Sequence, residues 1–327
     1  MVGHMYLQRR AIYNLVNLHG QEEFEDLKNL EPWQKENYRS IETPYLYKRL
    51  HEIGLSIPNE DTFSQFADEY ESPDDMVGAL TEKWEPLDQD KAYLLVFELW
   101  RRMLPEKRCP SVFCDELDYQ ISEYEKGNLE LQEALQDIIS YLQQILDDHV
   151  DEGNDPLSVI NTFQTYCAHN IELFVFNYAQ DAIESGDSDY AYDLIEGFYR
   201  YVNEPLWFDF LLCRIAILDD PEKGTQALSD VIKHVKSLDI ADEILVYLAK
   251  ERNHPLFCQL VLKILPLLES EEEFCELLES CSLHFSNLEL NPERFDTMLS
   301  DREGIDPQTP LDSSDLHIKE IRKFLSA

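Results

Sequence analysis

The sequence predicts an all-α protein: helical-hairpin repeats stacked as an α-solenoid, preceded by an irregular helical N-terminal part. Three observations predict it. Only 10 of the 327 residues are glycine, and the alternation of a half-buried strand is nearly absent. Apolar residues recur instead at spacings of three and four, which line one side of a helix. In the second half, helix-start signals return about every 33 residues, a period at which single hairpins bury their apolar side only by stacking on neighbours.

The elements follow in order. Pro32, Pro44, Pro58, Pro73 and Pro86 cut residues 1–86 into short helices. Ser72-Pro73-Asp74-Asp75 reads as an N-cap, a first-turn proline and acids at the positive helix end. Residues 87–153 hold longer amphipathic helices. Asp88 to Leu104 carries Tyr93, Leu94, Val96, Phe97, Trp100 and Leu104 on a broad apolar face, and Ser111 to Lys126 runs to Gly127. The series Leu131, Leu135, Ile138, Leu142, Ile145 marks a helix that starts after Gly127-Asn128 and ends near 151–154. Residues 154–290 form the hairpin region. First helices start near Ser188, Pro221 and His254-Pro255, and second helices near Pro205, Ile240 and Glu271. Residues 291–327 supply C-terminal helices or a cap.

The stretch Ala179 to Phe198 resembles tetratricopeptide-like helical-hairpin repeats. The resemblance implies that Ala179 is the small residue of a first helix, Gly186-Asp187 the turn, and Ala191 the small contact of the second. A further copy is read with Ala227 in the Ala191 role. The resemblance covers roughly residues 155–285 and implies stacked helix pairs there.

Against 27 Lys and Arg stand 66 Asp and Glu, a net charge of −39. That argues against direct binding to nucleic-acid phosphates or an anionic membrane, which takes clustered positive charge. The acidity is unevenly laid out. No Lys or Arg lies between Lys126 and Arg200, an interval with fifteen acids; a second basic-free interval, 264–293, holds eight more. Helices ordinarily mix both signs, because like charges four apart repel. The expected partner-binding residues are Glu130, Glu133, Asp137, Asp181, Glu184, Asp187, Asp189, Tyr190, Tyr192, Asp193 and Glu196. A solvated face with no partner produces the same distribution.

Motifs of chemistry are few. The glycines fit neither GxGxxG nor GxxxxGK[ST], and there is no GxSxG or HExxH, so no cofactor is expected. Asp147 to Asp155 looks calcium-like, but with Gly153 at loop position six, Val159 stands where the bidentate acid belongs. A helix C-terminus and linker is the better reading. His254, Cys258, Cys275, Cys281 and His284 lie within 31 residues without the close Cys pairs of zinc sites, and buried packing is expected. Seven scattered cysteines fit free thiols and a cytoplasmic setting better than a disulfide framework. The opening Met1-Val-Gly-His-Met5 lacks the charged and apolar regions of a signal peptide. The aromatics between Tyr190 and Phe210 read as packing, or as anchors where exposed. Two basic islands, Arg101-Arg102 with Lys107-Arg108 and Lys319 with Arg322-Lys323, read as pairing with the chain's own acids or as self-association.

The first functional expectation is a non-enzymatic scaffold or adaptor that binds a basic protein or peptide through an acidic, aromatic-bearing surface. A second is an acidic nucleic-acid mimic that occupies a basic nucleic-acid-binding protein. A third is a carboxylate-dependent, metal-assisted hydrolase, which predicts one deep pocket with carboxyls of raised pKa.

Overall fold

In the computed structural model, residues 6–19, 30–312 and 314–326 are described; Met1–Met5, on which the reading of the N-terminus falls, lie outside them. Among the described residues the protein is all-α, with seventeen α-helices and one isolated bridge, Ser270 to Pro310, instead of a strand. Two compact units emerge. One falls within Met1–Val175 with Arg200–Val202, the other within Phe176–Tyr199 and Asn203–Ala327.

The first unit starts with α1 (Arg9–His19), α2 (Thr43–Glu52), α3 (Glu60–Ala67) and α4 (Pro73–Leu80). Helix α4 starts as the sequence predicts: Ser72 accepts the Asp75 amide at 3.1 Å, and Pro73 opens the first turn. Helix α5 (Pro86–Met103) is the core element, contacted by α2, α3 and α4. Tyr93, Phe97 and Trp100 are wholly buried, and the Trp100 indole donates to the Lys107 carbonyl at 3.0 Å, which satisfies its one polar atom.

Helix α6 (Pro110–Glu125) packs on α1, and α7 (Gln132–Asp151) packs on α6 and on α8 (Pro156–Gln164). The apolar stripe of α7 is wider than the predicted series. Leu135, Ile138 and Leu142 are buried, Leu131 and Ile145 are half-buried, and Ile139 and Leu146 join the core. The calcium-like stretch is a helix end: α7 continues through Asp151, Gly153 takes φ +99°, and Asp155 caps α8 by accepting the Ser158 amide at 2.9 Å.

Acids are also buried in this unit, each with partners. Asp115, 2% exposed, accepts from Arg10 and Arg39 at 2.6 Å and from Asn14 at 3.1 Å. Asp118 accepts from the Ala168 and His169 amides, the His169 ring and Asn14, all within 3.0 Å. Glu98, 1% exposed, accepts from Arg101 at 2.7 Å and from Arg102 at 2.5 Å, and Lys107 reaches Asp68 at 3.1 Å. Three of the four cations of the first basic island therefore pair within their own chain, Arg101 and Arg102 on a buried carboxylate, while Arg108 donates to the Pro105 carbonyl and lies over the Tyr141 ring.

The boundary between the units falls in α9 (Ile171–Ser185). The second unit continues with α10 (Ser188–Phe198), α11 (Leu206–Asp219), α12 (Pro221–His234), α13 (Leu238–Lys250), α14 (His254–Ile264) and α15 (Glu271–Asn287). Helices thus start at Ser188, Pro221 and His254, and at Leu206, Leu238 and Glu271, within two residues of the positions the sequence marks. Burial follows the same 33-residue step. Ala191, Gly224 and Phe257 are buried at one level, Ile195, Leu228 and Val261 at the next, and Phe208, Ala241 and Phe274 in the alternate helices. Helices pack on the next in chain, as in α11 with α12 and α13 with α14, and on the next but one, as in α12 with α14 and α13 with α15.

At Gly224, α12 lies tight against α11: a Cβ there would collide with the Ile217 backbone. It lies 33 residues after Ala191 and is buried like it, and Ala227 is half-buried. Helices α16 (Glu293–Ser300) and α17 (Leu316–Leu325) close the unit. The connection between them is tied to the start of α15. Arg302 pairs with Glu271 and, at 2.6 Å, with Asp315, while the Glu271 and Glu272 amides donate to Thr309 and Pro307 at 3.0 Å.

Candidate interaction surface

Helix α10 carries the densest part of the predicted set. Gly186, at φ +89°, ends α9, and Asp187 caps α10 by accepting the Tyr190 amide at 3.4 Å. Ala191, Leu194, Ile195 and Phe198 fill the buried side. The 3.6-residue period then places Asp189, Tyr192, Asp193 and Glu196 together on the opposite side, where all four are exposed. Tyr192 is 46% exposed, and the three acids make no ion pair among the described residues. The result is a carboxylate stripe with one accessible ring.

The other predicted residues are placed differently. Tyr190 is half-buried, its ring edge-on to Tyr178 with centroids 6.0 Å apart, and burial with that neighbour pushes its hydroxyl pKa up. Glu184 pairs with Arg214 at 3.2 Å and with Lys250 at 3.5 Å. Asp187 is committed to its cap, and Asp181 is exposed and engaged. Glu130, Glu133 and Asp137 are exposed in the first unit, just before and along α7. Aromatics around the stripe are mostly packing: Phe198, Tyr201, Phe208 and Phe210 are buried, and Trp207 stands edge-on to Phe176 at 4.8 Å. The basic-free interval is not free of cations in space either, because Arg200 reaches back to Asp147 at 2.5 Å and Tyr201 bonds the same carboxylate.

A second acidic face belongs to α13 and α15. Burial, followed by repulsion from Glu276, Asp239, Glu243 and Glu273, pushes the Asp242 carboxyl up to about 6. The acids of α15 belong to the basic-free run 264–293, whereas their approach to α13 has no local signal.

One cleft of about 930 Å³ opens among α14, α15, α16 and α17, with His254, Cys258, Arg294, Asp301, His317 and Glu320 among its lining. At its edge the His254 Nδ1 lies 3.2 Å from the Nε2 of His284. His284 is wholly buried and stacks on Phe257 with centroids 3.8 Å apart, and burial, then His254, pushes its pKa down to about 4. Cys258 Sγ sits 3.6 Å from His254 Nε2, but burial pushes the thiol up to about 11, which keeps it protonated at neutral pH. Of the five residues expected to pack inside, His284 and Cys281 are buried, and His254, Cys258 and Cys275 are half-buried. All seven cysteines are free thiols. Among the described residues no group of three or more His, Cys, Asp or Glu is placed to hold a metal ion, and no helix is long and apolar enough to cross a membrane. The two carboxyls pushed upward, Asp74 and Asp242, do not line this cleft.

Compared with known proteins, the chain matches no protein-family model, no curated protein and no solved structure.

Proposed function

We propose that the protein is a cytoplasmic scaffold or adaptor whose second unit is a stack of tetratricopeptide-like helical hairpins, and that it binds a basic protein or peptide through the exposed face of α10. The repeat reading is supported by the 33-residue recurrence of helix starts and buried positions, and by packing on both the next helix and the next but one. The observation that carries the binding reading is the stripe of Asp189, Asp193 and Glu196 around exposed Tyr192, with no cation of this chain paired to it among the described residues. Like charges three and four apart on a helix repel and cost a few tenths of a kcal/mol each. A bound Lys/Arg-rich segment turns that repulsion into attraction, and the ring adds apolar area and a cation–π contact.

The test is titration of the protein with a fluorescent Lys/Arg-rich peptide. Binding is expected to weaken from low to high salt. Asp189→Asn with Asp193→Asn and Glu196→Gln is expected to weaken it about tenfold, and Tyr192→Ala about three- to tenfold with less effect on the salt slope. Unchanged affinity in the triple variant overturns the assignment to α10.

A further inference from the structure

We propose that the protein associates with itself through a contact separate from the α10 face: the basic face of α17 in one copy docks antiparallel along α13 of a second copy.

The first half of the contact is an unpartnered helix face. Ile318 and Ile321 hold α17 to its own unit, leaving Leu316, Lys319, Arg322 and Lys323 exposed on the other side. Leu316 is 79% exposed. The three cations make no ion pair among the described residues; Lys319 donates only to the Ser314 carbonyl, at 2.6 Å. In a chain with 66 acids, three neighbouring cations without a close ion pair among the described residues, of which Lys319 alone feels the field of Asp312, form a surface of unusual polarity. Their sign fits an acidic partner, and this chain is itself one.

The second half is on α13. Asp239, Asp242 and Val246 follow one another at spacings of three and four along one exposed side, with Val246 67% exposed. On α17, Leu316, Lys319 and Lys323 follow at the same spacings in the opposite chemical order. Each strip spans eight residues, roughly 10 Å of helix between its ends. Laid antiparallel, Leu316 meets Val246 while Lys319 and Lys323 meet Asp242 and Asp239. Glu243 on α13 and Glu273 and Glu276 on α15 crowd Asp242 and deepen the negative field around it. The two strips match in overall length and in the order of charge and apolar position, with the middle pair offset by one residue, about 1.5 Å, which a lysine side chain spans.

Because the contact joins different patches on the two copies, it is heterologous and does not close at a dimer by itself. Each copy also carries a net charge of −39, so long-range repulsion opposes the short-range pairs. Association is therefore expected to be strongest at intermediate salt. At about 0.01 M the screening length is about 30 Å and repulsion reaches across the molecule; at about 0.15 M it is about 8 Å, and only the contact itself is felt. At about 1 M the pairs themselves weaken.

Sedimentation velocity of the full chain over a dilution series, without added peptide, tests this. Wild-type protein is expected to show species above 38.4 kDa that grow with concentration, most at intermediate salt. Lys319→Glu with Lys323→Glu is expected to raise the dissociation constant at least tenfold, and so is Asp239→Lys with Asp242→Lys. Mixing the two variants is expected to restore association, because the reversed α17 then meets a reversed α13 and the unchanged α17 of one variant meets the unchanged α13 of the other. The Lys/Arg-rich peptide titration on the α17 variant separates this contact from the α10 reading, since peptide affinity is expected to persist. A monomer at every concentration and salt, association that ignores both reversals, or a mixture that stays monomeric overturns the proposal.

Discussion

The two units hold nearly the same charge and use it in opposite ways. Residues of the first carry 15 Lys and Arg against 35 Asp and Glu, and those of the second 12 against 31. In the first unit three of these acids go inside: Asp115, Asp118 and Glu98 are buried, and each is met by arginines, amides or a histidine. In the second, Arg302 with Glu271 is the buried ionic clip, while Asp189, Asp193, Glu196 and Asp242 remain outside. Net charge is thus a poor guide to use. A paired, buried carboxylate specifies a fold, whereas an unpaired exposed one is available to another molecule.

The largest expected effect falls on the buried network. Asp115→Ala leaves Arg10 and Arg39 facing each other without their shared acceptor, and is expected to cost about 3–5 kcal/mol of stability by urea unfolding. A loss below about 1 kcal/mol would break the contrast between the units.

Next comes pH. His284 has a folded pKa of about 4 against an ordinary value of 6.5, so between these values the unfolded chain binds the extra proton and acid destabilises the fold. Stability is expected to fall by about 2–3 kcal/mol from pH 6.5 to 4 through this group, and His284→Phe is expected to remove that component. Asp242 works the other way. Its carboxyl titrates near 6 in the fold, so the fold binds the extra proton and acidification relieves repulsion; Asp242→Asn is expected to raise stability at neutral pH, with the gain fading below pH 4. Unfolding curves measured across pH 4–8 for both variants separate the two.

A smaller effect tests the helix register. Gly224→Ala drives a methyl into the Ile217 backbone and is expected to destabilise by about 1–2 kcal/mol. Gly78→Ala, inside α4 with nothing near its added methyl, is expected to stabilise by about 0.5–1 kcal/mol. Thermal melts of the two variants should move in opposite directions.

Much of the fold was legible because helix boundaries are written locally. Ser72-Pro73, Gly127, Gly153 and Gly186-Asp187 each end or start a helix through a cap or a positive φ that a few residues determine. The 33-residue burial register was harder to read, because its equivalent positions hold unlike residues, as at Ala191, Gly224 and Phe257, which fit different local gaps. The Arg10–Asp115 and Arg39–Asp115 pairs had no signal, since their partners lie 105 and 76 residues apart. For the candidate surface, period 3.6 suffices to gather Asp189, Tyr192, Asp193 and Glu196. The fate of Glu184 was not readable, because its cations, Arg214 and Lys250, arrive from later helices.

The central claim is that acids exposed in the second unit bind a basic partner while those buried in the first hold the fold. Hydrogen exchange on the full chain with and without the Lys/Arg-rich peptide tests it most directly. Slowed exchange in α10, with α5 and α6 unchanged, is the predicted result. Slowed exchange centred on the first unit, or none in α10 at saturating peptide, would contradict it.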